Sequence, residues 1–238
     1  MSHYSEKNIF PMQGGCPCGH TRYEIAQAPL LVHCCHCASC QRELGSAFGI
    51  NAIIEKEQVK LLPPAKPAVP ESKGAARAPA SFNEAFARLT LANTTCGKAS
   101  AAQEESTEPS SSSSPSCEPA EKPRVTLVTF PSESTIGITI AQCPECHTGL
   151  WTHYADAGPH TIYLRAGTLD VAHEVDPDVH IFTRSKRAFV TLSDGKPQFE
   201  YYYGDRADYI RPDCKERYEN LKERTASYKA ELMAALGR

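Results

Sequence analysis

What this chain of 238 residues lacks narrows its class first. It contains no stretch of about 18 or more apolar residues, so nothing in it reads as a membrane-spanning helix. The opening MSHYSEKNIF is polar and has none of the apolar run of a secretory signal. A basic excess is missing too: the formal charge is -3, which gives no footprint for nucleic acid and no polybasic patch for a membrane surface. These absences predict a soluble protein of the cytoplasm, with the nucleus as the alternative compartment, and disfavour nucleic acid and lipid as partners. In that reducing setting eleven cysteines, an odd number, are not expected to form a disulfide framework.

Grouping says more than number. Seven cysteines fall into C-x-C (Cys16, Cys18), C-x-C-x-x-C (Cys35, Cys37, Cys40) and C-x-x-C (Cys143, Cys146), with Cys34 beside the second group and Cys96, Cys117 and Cys214 scattered.

Between Pro63 and Pro123 Ala, Ser and Pro dominate, and half of the eighteen prolines lie here. Such a segment cannot bury enough apolar surface to offset its ordering entropy, so 63–123 is expected to be a disordered insertion. Within it SFNEAFARLTL carries a capping-box pattern, Ser81 and Glu84, with Phe82, Phe86 and Leu89 at helical spacing,. On either side the signals are of strands: TRYEIAQ, FGINAII, VTLVTF, TIGITIA, TIYLRAG, HIFTRS, AFVTL and FEYYY are short, β-branched and aromatic,. One cysteine pair precedes the insertion and another follows it, so 13–62 and 124–204 are expected to form a single zinc-binding, mostly antiparallel β domain. Residues 1–12 are then an N-terminal tail and 205–238 a C-terminal helical extension. In that extension Asp213 and Glu216 suit a first turn, and Tyr218, Leu221, Tyr228, Leu232 and Leu236 trace one face,.

A structural zinc needs four ligands in a tetrahedron, commonly thiolates supplied as two short pairs from distant parts of the chain. Cys16-Pro-Cys18-Gly19 and Cys143-Pro-Glu-Cys146 have that form. A redox C-x-x-C is the competing assignment for the second pair, but it lacks the βαβ context and leaves CPCG unexplained. Cys35, Cys37 and Cys40 can converge on one metal if the chain turns tightly, and three protein ligands with a vacant fourth position is the arrangement of a catalytic zinc. A closed site completed by Cys34 or a histidine is the structural alternative. The register Cys34-x-x-Cys37-x-x-Cys40 is another that spacing does not reject.

GGCPCGHTRYE, CHCASCQR, SAFGINAI, CPECHTGLWTHY and HIFTRSK together resemble the family of glutathione-dependent formaldehyde-activating enzymes, whose domain is shared with centromere protein V. The resemblance covers roughly Gln13 to Leu62 and Val125 to Tyr203. It implies a mainly β fold, a β-tent of antiparallel sheets with a structural four-cysteine zinc, to which this chain adds the C-terminal helix. It implies two Zn²⁺ per chain: a structural ion on Cys16, Cys18, Cys143 and Cys146, and a catalytic ion on Cys35, Cys37 and Cys40, with Cys34 a neighbour. The implied activity is that of a carbon-sulfur lyase acting on thiol adducts, with glutathione or another thiol and an aldehyde as substrates and S-(hydroxymethyl)glutathione as the leading product.

Three thiolates make the metal a poor Lewis acid for water and a better host for sulfur, which suits a substrate thiol. His36, between two of the cysteines in an extended stretch, should point away from the metal; His33 and His153 are the other candidates for proton transfer. Arg184, Lys186 and Arg187 of HIFTRSKR could bind the carboxylates of glutathione, although a charge run is usually a solvated face. Two other classes stand beside the enzyme: a non-catalytic zinc-binding interaction module like that of centromere protein V, which the mild acidity disfavours, and a redox-sensing cysteine cluster that would release zinc on oxidation.

Overall fold

A computed structural model describes residues 2–65, 123–131, 137–235 and 237. The segment read as an insertion, with its SFNEAFARLTL island, Cys96 and Cys117, lies outside the described residues apart from its two ends. Residues 1–68 and 123–238 make one compact unit.

Among the described residues ten strands form two sheets. The smaller has β1 (Met12–Gly15), β2 (Arg22–Ile25) and β5 (Val59–Leu62) in the order β1-β2-β5. The larger contains β3 (Leu31–Cys35), β4 (Gly49–Glu55), β6 (Thr126–Phe130), β7 (Ile138–Gln142), β8 (Gly149–Tyr154), β9 (Thr161–Arg165) and β10 (Val179–Ile181), in the order β10-β3-β4-β9-β8-β7-β6. Helix α1 (Ala38–Leu44) follows β3, and α2 (Lys215–Ala235) closes the chain. The mainly β architecture with a C-terminal helix is the expected one. Its one departure is that β10 pairs parallel with β3, so the large sheet is mixed.

Strand alternation gives the large sheet two differently used faces. Val32, Ala52, Ile54, Ile162, Leu164 and Trp151 point one way and share a core with Met12, Tyr23 and Ile25 of the small sheet. Leu31, Cys35, Ile53 and Tyr163 point the other way and are covered by Tyr203, Ile210, Tyr218 and Leu221. Helix α2 is thus docked on its own domain. Arg217 grips Glu55 through both carboxylate oxygens at 2.8 and 2.7 Å, and Arg224 pairs with Glu57.

Three expectations need correction. Residues 2–12 are not a loose tail: Tyr4 is buried, its hydroxyl donates to Asp178 at 2.7 Å, and β1 starts at Met12. AFVTL forms no strand, and Phe189 in it is 75% exposed. FEYYY runs beside β10 with bonds such as Phe199 N–H to the His180 carbonyl at 2.9 Å, yet no ladder develops, because Phe182 takes a left-handed φ of 57° and ends β10 there. β1, β3, β5 and β8 were hidden from periodicity, β3 because LVHCC reads as a ligand run rather than as a buried strand.

Candidate metal centres

The turn from β1 to β2 carries Cys16 and Cys18, and the turn from β7 to β8 carries Cys143 and Cys146. Both are tight and built alike. Cys16 N–H reaches Thr21 O at 3.0 Å and Gly19 N–H reaches Cys16 O at 3.0 Å; Cys143 N–H reaches Thr148 O at 3.0 Å and His147 N–H reaches Cys143 O at 2.9 Å. In each turn the residue after the second cysteine is left-handed, Gly19 at φ 77° and His147 at φ 58°. Glycine does this without strain; histidine does so at a cost. Amides aim at sulfur: Thr21 N–H lies 3.3 Å from Cys16 Sγ and Glu145 N–H 3.4 Å from Cys143 Sγ.

The four sulfurs lie within 4.8 Å of one another, with Cys16 to Cys18 at 3.3 Å and Cys18 to Cys143 at 3.7 Å. A tetrahedron of sulfurs about 2.3 Å from Zn²⁺ has edges of about 3.8 Å, so the donor set fits that ion. Burial opposes ionisation of Cys143, but bonds from Thr21 and the Cys146 and Glu145 amides outweigh it and bring the thiol down to about 6. Burial and its thiol neighbours push Cys18 up to about 12. Like charges this close cannot all be present without a counter-cation.

The second group forms where β3 runs into α1. Cys37 is the N-cap of the helix, its sulfur accepting the Cys40 amide at 3.3 Å, and the sulfurs of Cys35, Cys37 and Cys40 lie within 4.8 Å of one another. Bonds from the thiols of Cys35 and Cys40 hold Cys37 far below the ordinary thiol range, while bonds to Cys37 and Cys40, with burial, drive Cys35 far above it. Arg165, whose charge favours the Cys40 thiolate, is buried and bound by Asn51 and Glu43. Tyr154 stands within electrostatic reach of Cys40 and Cys35 and meets Tyr163 edge-on at 4.7 Å. Both groups could hold zinc.

Cys34 is not in either group. The pleat of β3 turns it to the opposite face from Cys35, where its sulfur lies 3.5 Å from His36 Nε2. His36 does turn away from the cysteine triad. His33 is buried with its Nε2 2.6 Å from the Tyr203 hydroxyl, and burial takes it down to about 3, so its ring is uncharged at neutral pH. His153 is bonded to the Thr161 carbonyl at 3.0 Å and burial lowers its pKa. Neither ring belongs to the triad.

Of the three basic candidates, Arg184 lies over the Tyr201 ring at 4.4 Å and Lys186 donates to the Val190 carbonyl at 2.5 Å. Arg187 lines an open depression of about 550 Å³ along α1, with Ala38, Gln41, Arg42 and Phe189. Gln41 ties the region together, donating to the carbonyls of His36 at 2.8 Å and Ser185 at 2.9 Å. Residues that sequence reasoning missed are Tyr154, Arg165 and His180. The first and last sit inside CPECHTGLWTHY and HIFTRSK, and that was their only signal.

Among the described residues no helix is long and apolar enough to cross a membrane. A search of curated proteins finds no match. Among solved structures, one of a Rhodobacter sphaeroides protein aligns at 12% identity over 79% of this chain and 99% of its own, with a TM-score of 0.33. The family described as glutathione-dependent formaldehyde-activating enzyme matches residues 11–85 and 94–185. That match covers the segment read as an insertion except for residues 86–93, and it ends short of Tyr203. It spans all three of the cysteine motifs, the two paired turns and the triad, that the fold gathers into clusters, and on it the chain belongs to the glutathione-dependent formaldehyde-activating enzyme family.

Proposed function

We propose that the protein is a zinc-dependent carbon-sulfur lyase or synthase acting on thiol adducts, with formation of S-(hydroxymethyl)glutathione from glutathione and formaldehyde as its leading reaction. The observation that carries this is the separation of two cysteine clusters of different kind. Four sulfurs close around one position where the β1–β2 turn of one sheet meets the β7–β8 turn of the other, whereas three converge at the start of α1. Cys16, Cys18, Cys143 and Cys146 are assigned to a structural Zn²⁺ and Cys35, Cys37 and Cys40 to a catalytic one. An ion held by three thiolates would supply a soft fourth position that favours a thiol as thiolate and lowers its pKa.

The residues around the triad suit the rest of the reaction. The substrate sulfur forms a bond to the aldehyde carbon, the carbonyl electron pair moves to oxygen, and that oxygen takes a proton. Tyr154 is kept neutral by burial and is assigned the role of hydrogen-bond donor to that oxygen. Arg165, fixed by Asn51 and Glu43, supplies positive charge beside Cys40. Arg187 and Arg42, on the depression along α1, are matched in charge to the carboxylates of a peptide thiol.

The test is NMR observation of adduct formation from glutathione and formaldehyde beside an enzyme-free control, for the parent and for Cys37→Ser. Acceleration that is lost in Cys37→Ser, with one zinc fewer per chain, supports the assignment. A parent that holds zinc on both clusters and accelerates no thiol-aldehyde pair refutes it.

A further inference from the structure

A third cluster lies on the other face of β3. Cys34 of β3, His36 just beyond it and His180 of β10 are each at least 96% buried and gather their donor atoms within 4.8 Å. Cys34 and His180 are opposite each other in the parallel register of β3 and β10. His36 is drawn to the same side by the bond from its amide to the Ile181 carbonyl at 3.0 Å. Because Cys35 points the opposite way, the strand itself separates this group from the cysteine triad.

We propose that Cys34, His36 and His180 form a further binding site for a borderline-soft divalent cation of the Zn²⁺ class. The spacing is that of ligands around a metal. Cys34 Sγ to His36 Nε2 is 3.5 Å and His36 Nε2 to His180 Nδ1 is 3.2 Å. A tetrahedral ion about 2.0 to 2.1 Å from nitrogen and about 2.3 Å from sulfur sets edges of about 3.6 Å for S to N and about 3.3 Å for N to N.

The chemistry around the rings agrees. His180 Nε2 donates to Asp194 Oδ2 at 2.8 Å, and in the neutral ring that bond leaves the lone pair on Nδ1, aimed into the cluster. A carboxylate behind a ligating imidazole is the usual support of a metal-bound histidine. Asp194 is itself held by the Lys196 amide at 3.2 Å. Without an ion, the Nε2–H of His36 faces the His180 lone pair at 3.2 Å; an ion would take that place, with the His36 proton on Nδ1, which has no hydrogen-bond partner among the described residues. A hydrogen bond between the two imidazoles alone would account for 3.2 Å, but it would leave the buried thiol of Cys34 converging on the same point for no purpose. The Asp194 side chain is 39% exposed, which gives an ion a way in from the Asp194-Gly195 turn.

This site does not rest on the proposed reaction, because it takes none of the triad's ligands. The test is metal analysis of the full chain reconstituted with Zn²⁺, combined with X-ray absorption at the zinc edge. The site predicts three Zn²⁺ per chain and imidazole multiple scattering, which two all-thiolate clusters cannot produce. His180→Asn should remove one ion together with that scattering, and Asp194→Ala, at the exposed turn, should weaken the same ion about 10- to 100-fold. Imidazole scattering that vanishes in His180→Asn supports the site even if the total is two. No imidazole scattering in the parent, or scattering that persists in His180→Asn, overturns it.

Discussion

The two all-cysteine clusters differ in what they join, and this sets how much each stabilises the fold. Cys18 and Cys143 meet from positions 125 apart, whereas Cys35, Cys37 and Cys40 belong to one short turn. In the chain-entropy treatment of cross-links, tying a loop of the first length removes denatured-state freedom equivalent to about 5 kcal/mol, and closing a handful of residues removes about 2 kcal/mol. For a chain of this size each kcal/mol moves the melting midpoint by roughly 2–4 °C. Cys143→Ser with loss of its zinc should therefore lower the midpoint by roughly 10–20 °C and Cys37→Ser by roughly 4–8 °C. The assay is far-UV circular dichroism melting of parent and variants, each with zinc quantified on the same sample. A zinc-free Cys143→Ser protein that melts within a few degrees of the parent would refute the reasoning, as would a Cys37→Ser protein that loses more.

Three further outcomes follow from packing and charge. Gly158 has φ 69°, and a Cβ there would come 2.6 Å from Cδ1 of Tyr228 on α2; Gly158→Ala should cost about 2 kcal/mol in urea unfolding and increase hydrogen exchange in the last turns of α2. Arg217→Ala strands the buried Glu55 carboxylate and should cost about 3 kcal/mol, with much of the loss recovered when Glu55→Leu is added; a double variant as weak as the single one counts against the pair. The bond from Arg22 at 2.5–2.8 Å holds Asp170 below the usual carboxylate range. A depressed folded pKa gives stability that is full above the unfolded value near 3.9 and is lost as pH falls through the folded one, so Asp170→Asn should flatten the acid limb of stability below about pH 4 and leave the neutral region's slope unchanged.

The clusters were legible in the sequence because short cysteine pairs have few alternative uses in a chain without a βαβ pattern, and the family motifs chose the register of the triad. α2 was legible from its periodic apolar face. Buried strands with no alternation were not, since LVHCC and GLWTHY offer nothing that a period of two can detect. FEYYY was over-read for the opposite reason: its aromatics are there to cover the sheet through Tyr203, not to pair along it. Arg165 and His180 were missed because each acts through partners far away in the chain, Asn51 and Glu43 for one, Cys34 and His36 for the other.

The strand order β10-β3-β4-β9 has a practical consequence. β3 and β4 come from the part before residue 66, and both of their flanking strands come from the part after 122, so the early pair is seated like a tongue in a groove between two later strands. Each part also carries half of the sulfurs that meet at the paired turns. A protein made as two separate polypeptides, 1–65 and 123–238, would then present every edge and every thiol needed to find its counterpart, and the two pieces should assemble on mixing in the presence of zinc into a complex that size-exclusion chromatography resolves from either alone.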